Sequence, residues 1–212
     1  STSVVVPEAG APATFSVFLG IAPGTDVPLS VVSADVGEVS SSPATITFTP
    51  TDWSTEQVVT LTGVDDRLLD GEQSATVTVA VVDESSDNVF DEALDLMVSV
   101  TITDDDAAGF SVSDAGAAVT EGGSATAFTA VLDAQPTTDV VLSVSSPDTG
   151  EATVMPATLT FTTANWSTAQ SVTVTGVDDS DVDGNRVTAV VVSVDDANSD
   201  DPFDSLRDRT GR

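Results

Sequence analysis

The chain contains no cysteine, no histidine, no tyrosine and no lysine. Without cysteine there is no disulfide, no thiol nucleophile and no thiolate metal site. Without histidine, neither a Ser-His nor a Cys-His nucleophile can be assembled. Positive charge is nearly absent: 5 basic side chains, all arginine, face 35 acidic ones, for a formal net charge of −30. Such a surface repels nucleic acid and anionic lipid, so neither is an expected partner. It also stays soluble in high salt, where screening cuts its self-repulsion. Aromatics make up only 5 % of the residues, few to hold a sugar ring between paired carboxylates as glycoside hydrolysis requires. No run of about 18 apolar residues exists, so no membrane-inserted helix is expected. Ser1-Thr2-Ser3 opens directly into strand-like sequence, so we expect a mature or excised chain without a leader. A phosphate-cradling glycine loop is missing as well. Together these absences lead us to expect no enzyme.

What is present is valine, alanine, threonine and serine, with 40 % hydrophobic residues overall. Valine and threonine are β-branched, and that composition favours sheet. Shifting the sequence by 113 aligns residues 1–99 with 114–212 without a gap, with about two positions in five identical. Glu8 falls on Glu121, Phe15 on Phe128, Asp35 on Asp148, Gly37-Glu38 on Gly150-Glu151 and Trp53-Ser54-Thr55 on Trp166-Ser167-Thr168. This period is too long for a short solenoid repeat and suits an array of domains. The expected division is 1–106 and 107–212. Within each half, apolar and polar residues alternate in short runs separated by turn residues, the pattern of an all-β sandwich. Expected strands include Thr126–Leu132, Val140–Val144, Ala157–Thr162, Ser171–Val177, Val187–Val194 and Leu96–Thr103.

The chemistry concentrates in two loops, Gly63-Val64-Asp65-Asp66-Arg67-Leu68-Leu69-Asp70-Gly71 and Gly176-Val177-Asp178-Asp179-Ser180-Asp181-Val182-Asp183-Gly184. Two carboxylates about 4 Å apart repel by roughly 4 kcal/mol at an effective dielectric near 20. A cluster of them is therefore splayed into water or neutralised by a cation. With oxygen ligands only, the candidate ion is Ca2+, held in part by Asp65, Asp66 and Asp70 and, in the repeat, by Asp178, Asp179 and Asp183. An acidic turn on an acidic protein is the plainer reading of either loop alone. In a seven-stranded sandwich traversed up and down, odd-numbered strands finish at one pole. That brings the first loop towards Asp35 and towards Asp104-Asp105-Asp106, where a cation would tie successive domains together. Glu38 and Glu151 either complete a cation shell or stand as exposed turn acids. Trp53 and Trp166 read as corner plugs of the core rather than stacking platforms.

Residues 107–113 supply the second half with an opening strand that has no counterpart before Ser1, while the second half has no counterpart to Val98–Thr103. Two accounts remain open: a piece of a longer array, or edge strands supplied by neighbouring molecules.

Val119-Thr120-Glu121-Gly122-Gly123, Leu159-Thr160-Phe161-Thr162, Asn165-Trp166, Val172-Thr173-Val174-Thr175-Gly176-Val177-Asp178-Asp179, Asp183-Gly184 and Thr103-Asp104-Asp105-Asp106 together resemble the Calx-beta family. These are the immunoglobulin-like calcium-binding modules of sodium/calcium exchangers, found also as repeats in very large bacterial surface proteins. The resemblance covers nearly the whole chain. It implies two tandem immunoglobulin-like β-sandwich domains with calcium at one pole, bound through Glu8, Asp35, Asp65, Asp66, Asp104, Asp105 and Asp106. In the second copy the corresponding residues are Glu121, Asp148, Asp178 and Asp179. The second copy departs from the family in lacking the terminal acidic run. Both copies also carry Gly-Val before the Asp pair, where exchanger modules have bulkier aliphatics.

The function expected from all this is a calcium-binding structural repeat of an extracellular surface array or adhesin, whose partners are neighbouring repeats or copies of the same protein. The alternatives are a module that binds a surface glycan or protein through its loops or an open edge, and a calcium sensor.

Overall fold

Alternation of buried and exposed side chains organises every long strand. In the computed structural model, which describes residues 2–113, 118–180, 184 and 186–211, Val27, Leu29, Val31 and Ser33 of one strand all face inward. Their neighbours face outward, as period-two sequence dictates. The strands fall into two compact units, one of Ser1–Asp66 with Asp70–Asp105 and one of Arg67–Leu69 with Asp106–Arg212. Both are all-β; among the described residues the only helical pieces are three short 3-10 turns, Asp83–Ser85, Asp196–Asn198 and Asp201–Phe203. Among the described residues no helix is long and apolar enough to cross a membrane.

Unit 1 contains β1 (Thr2–Pro7), β2 (Ala13–Val17), β3 (Val27–Ser33), β4 (Val39–Ser42), β5 (Thr45–Phe48), β6 (Gln57–Gly63), β7 (Gln73–Val81) and β8 (Leu96–Thr103). One sheet has the order β1-β8-β7-β3-β5 and the other β2-β6-β4. All neighbours are antiparallel except β1 and β8, which pair in parallel from Thr2↔Val98 to Pro7↔Thr103. Val6, Val27, Phe48, Val59, Leu61, Val77, Val98 and Val100 close the core between the sheets, each fully buried.

Eight strands replace the seven expected. The chain passes from β4, paired with β6, to β5, paired with β3, so one run of sequence serves both sheets. The crossing falls at Pro43-Ala44, where proline has no N–H to give a ladder.

Unit 2 repeats the plan with β9 (Phe110–Val112), β10 (Ala125–Leu132), β11 (Val140–Ser145), β12 (Ala152–Met155), β13 (Thr158–Phe161), β14 (Gln170–Gly176), β15 (Val190–Val194) and β16 (Arg209–Gly211). Its sheets are β12-β14-β10-β9 and β13-β11-β15-β16. β16 occupies the place of the start of β8: Val192↔Arg209 repeats the pairing Val79↔Leu96. β16 thus matches Leu96–Val98 and meets the segment expected to have no counterpart, Val98–Thr103, at Val98 alone. The segment Arg67–Leu69, counted with this unit, runs beside Gln135 and places Leu69 against the unit's core.

Trp53 and Trp166 are partly buried and pack against the cores of their units. Their carbonyls accept the N–H groups of Leu19 and Leu132 at 2.9 and 3.2 Å, so each acts as a corner plug.

Glycine is required at the end of β6. A Cβ on Gly63 would sit 2.3 Å from the Pro7 carbonyl oxygen, and one on Gly176 would sit 2.2 Å from that of Thr120. In both cases the obstacle is backbone, which cannot swing aside. Gly63→Ala and Gly176→Ala are therefore expected to destabilise their units by about 2–3 kcal/mol in urea unfolding. Gly20→Ala, which meets nothing within 4 Å, should shift stability by no more than roughly 0.5 kcal/mol.

Candidate metal centre

The parallel pairing of β1 and β8 makes the pole of unit 1. Two parallel strands finish at the same end, so Glu8, the residue after β1, lies next to the exit of β8, and its N–H donates to the Thr103 carbonyl at 3.0 Å. β3 is antiparallel to β7, and β7 to β8, so β3 also finishes here and delivers Asp35 and Glu38. Gly63, lacking a side chain, lets the end of β6 lie against the Pro7-Glu8 backbone. The Val64 N–H then donates to the Glu38 carbonyl at 2.9 Å, and the acidic loop follows.

Two backbone amides fix the carboxylates. The Asp66 N–H donates to Glu8 Oε1 at 3.0 Å, and the Gly71 N–H donates to Asp104 Oδ2 at 2.8 Å. Gly71 sits at φ +74°, a left-handed conformation that glycine adopts without strain. Glu8 is only 7 % exposed. Burial pushes its carboxyl up to about 7, and the negative charges of Asp66, Asp104 and Glu38 push the same way against the lowering effect of the Asp66 N–H. Glu38, half-buried, is also raised, first by burial and then by Asp70, Asp35 and Asp66.

Of the residues expected at this site, the structure brings together Glu8, Asp35, Asp66, Asp70 and Asp104. Asp65 and Asp105 are exposed, as Asp35 and Asp66 are, but are not among the charges that act on Glu8 or Glu38, and Asp106 belongs to unit 2. Glu38 joins the group. Its repeat at Glu151 was the available signal, and an exposed turn acid in both copies was the reading that competed with it. Asp35 has a second task, since its Oδ1 accepts the Gly37 N–H at 3.0 Å and closes its own turn.

In unit 2 the backbone plan recurs. The Val177 N–H donates to the Glu151 carbonyl at 3.0 Å, and Asp148 Oδ1 accepts the Gly150 N–H at 3.2 Å. Glu121 is half-buried, while Asp148, Asp178 and Asp179 are exposed. Asp183 lies outside the described residues.

Among the described residues no three acidic groups stand close enough to enclose a metal ion. The donors at the unit 1 pole are all oxygens, and one of them is buried among like charges, which suits a hard cation such as calcium chemically. The carboxylates themselves stand apart.

No protein-family model matches the chain, and no curated protein matches it. Among solved structures, the calcium binding domain CBD12 of CALX1.1 aligns with 91 % of this chain and 77 % of its own at 15 % identity and TM-score 0.38. The S-layer protein rSbsC(31-844) aligns at 18 % identity and TM-score 0.40 over 91 % of this chain. This chain spans about a fifth, 20 %, of that protein's length. The E. coli chaperone DraB aligns over 100 % of this chain and 95 % of its own at 10 % identity and TM-score 0.37. At these scores none of the three bears on function.

In a chelating buffer the raised carboxyl of Glu8 sets a sign for the pH dependence. Below its ordinary value of 4.5 both folded and unfolded chains hold the proton. Between 4.5 and about 7 the unfolded chain releases it and the folded chain keeps it, so unit 1 loses stability as pH rises, and the loss levels off above that window. One proton sets a ceiling of about 1.4 kcal/mol per pH unit. Glu38 adds a contribution of the same sign. Urea unfolding across this pH range should show the decline, and Glu8→Gln should remove most of it.

Proposed function

We propose that the chain is a pair of calcium-stabilised structural repeats from an extracellular surface protein, with no catalytic role. The observation that carries this reading is the pole of unit 1, where a buried glutamate is held among Asp66, Asp104 and Glu38 with no basic side chain near enough to be among the causes of its shift. Glu8, Asp66 and Asp104 would hold the ion, with Asp70, Asp35 and Glu38 supplying further oxygens by turning inward. A bound calcium ion supplies positive charge and takes about six to eight oxygen ligands.

The residues do the rest. Glu8 ties the end of β1 to the acidic loop through the Asp66 amide, and Asp104 ties the exit of β8 to the same loop through the Gly71 amide. Three chain segments thus meet in one cluster, and neutralising the cluster stiffens all three. In an array of such repeats, this converts a flexible acidic chain into a rod that projects or assembles at a surface. The absence of His, Cys, Lys and Tyr favours a structural role over a catalytic one, because the carboxylates would have no other side-chain acid, base or nucleophile to work with besides hydroxyls.

Calorimetry with calcium against chelator tests the reading. Calcium at about a hundred times its dissociation constant should stabilise unit 1 by about 2.7 kcal/mol, raising its melting temperature. Glu8→Gln and Asp66→Asn should each weaken calcium binding by at least about tenfold, the loss of one charged ligand. A melting temperature of unit 1 that calcium leaves unmoved would sink the proposal.

A further inference from the structure

Charge is confined to the turns. Among the described residues no acidic side chain lies in a strand, and the one charged strand residue is Arg209 in β16. On a chain of net charge −30 the outer faces of the unit 1 sheets are therefore neutral, built mainly of serine, threonine and valine. On such a face two copies of the chain can meet without setting acid against acid.

One of these faces differs between the repeats. In unit 1, Val32 of β3, Thr78 of β7 and Met97 of β8 pair in a row across the sheet. Their strand neighbours Val31, Val77 and Val98 are buried in the core, so the row turns outward. Val32 is 57 % exposed and Met97 61 %. Val5 of β1, 63 % exposed, stands on the same face in the row of Thr101 and Ser74. In unit 2 the row that matches Val32, Thr78 and Met97 is Ser145, Val191 and Thr210, paired in the same way. Its two flanking positions carry hydroxyls where unit 1 carries large apolar groups. The same sandwich forms with either set, so core packing does not call for Val32 and Met97.

β3, β7 and β8 are interior strands with a partner on both sides, so the row is a sheet face and not an open edge. In unit 2 the opening strand β9 joins the other sheet, and Ser145 and Thr210 stay exposed. Five strands about 4.8 Å apart and about six residues long present roughly 500 Å². Two copies face to face cover about 1,000 Å², the size of a weak, reversible interface.

We infer that the outer face of β3, β7 and β8 in unit 1, flanked by Val32 and Met97, is the surface through which a second copy of this chain docks face to face. An anionic partner gains nothing on a neutral face, and a cationic one is drawn to the acidic turns instead. A copy of the chain presents the same neutral patch, and two-fold pairing sets its apolar flanks against their equivalents. The inference stands apart from the cation, since none of these residues belongs to the acidic pole.

Sedimentation equilibrium of the full chain in a chelating buffer tests it. Expected is a reversible monomer–dimer equilibrium that tightens as sodium chloride is raised, because salt screens the net repulsion between copies. Val32→Ser together with Met97→Thr gives unit 1 the residues with which unit 2 already folds, and should weaken dimerisation at least about tenfold while leaving the melting temperature of the monomer in place. Thr78→Glu, which sets like charges against each other across the contact, should abolish it. Val58→Asp, a charge on the outer face of the other sheet, should leave it unchanged. A chain that stays monomeric at every protein and salt concentration overturns the inference, as does a dimer that survives the double variant or one that Val58→Asp dissolves. A dimer that forms only with calcium overturns it too, because the contact would then belong to the pole.

Discussion

A carboxyl group buried beside other carboxyl groups is the constraint from which the pole of unit 1 follows. Burial disfavours the charged form of Glu8, and the surrounding acids disfavour it further, so the side chain is pushed up to about 7. The Asp66 N–H relieves it in part, and a proton on the glutamate or a positive ion among its neighbours would relieve the rest. Because both act on the same oxygens, they compete, and neutral pH is where the competition is closest. The fold does not avoid the problem, as it would by turning Glu8 outward. It secures the arrangement with backbone amides on Glu8 and Asp104, drawn from the one loop that carries the other acids.

Elsewhere the chain uses acidic side chains in the opposite sense. Asp87 accepts the Gly24 N–H and is lowered by it, and Asp52 accepts the Thr49 N–H with the same result. In unit 2, Asp200 accepts the N–H groups of Thr137 and Thr138 at 2.6 and 3.1 Å and is only 7 % exposed. At the position of Asp52 the second repeat has Asn165, which accepts the Thr162 N–H at 2.6 Å. An amide serves there as well as a carboxylate, so the requirement at that corner is an acceptor oxygen and not a charge. The contrast separates Asp52 and Asp87, where N–H donors stabilise the ion, from Glu8 and Glu38 at the pole, where burial and then neighbouring acids destabilise it.

The repeat, the sheet content and the convergence of separate turns at one pole were legible because each leaves a period or a residue type in the sequence. Leu96–Thr103 is expected and found with the same ends, since its alternation is uninterrupted. The short strands Val39–Ser42 and Ala152–Met155 were not legible. Ser40-Ser41-Ser42 has no apolar alternation, and its pairing with β6 is a matter of backbone geometry. The start of Val187–Val194 was overcalled, and β15 begins only at Val190. Val190, Val191 and Val192 pair with the three residues of β16, and Val187 is 87 % exposed. The spread of the carboxylates was also beyond the sequence, because residue order fixes which turns meet and not which way their side chains turn.

The unequal burial of Glu8 and Glu121 shows what makes the pole. Both glutamates have a glycine-ended strand, β6 or β14, pressed against the backbone just ahead of them, although Val4-Val5-Val6-Pro7 leads into one and Ala117-Ala118-Val119-Thr120 into the other. One is buried and the other half-buried. One described difference is the pairing of the preceding segment. In unit 1 that segment is β1, paired along its length with β8, and the last bond of the series runs from Glu8 to Thr103. In unit 2, among the described residues, β16 stands in the place of the start of β8 and pairs with β15, and residues 118–120 form no strand. A parallel pair with a neighbour on one side is a weak construction by itself, but it carries the glutamate into a position that the acidic loop alone does not create. The candidate metal centre is thus a property of strand pairing first and of acidic sequence second.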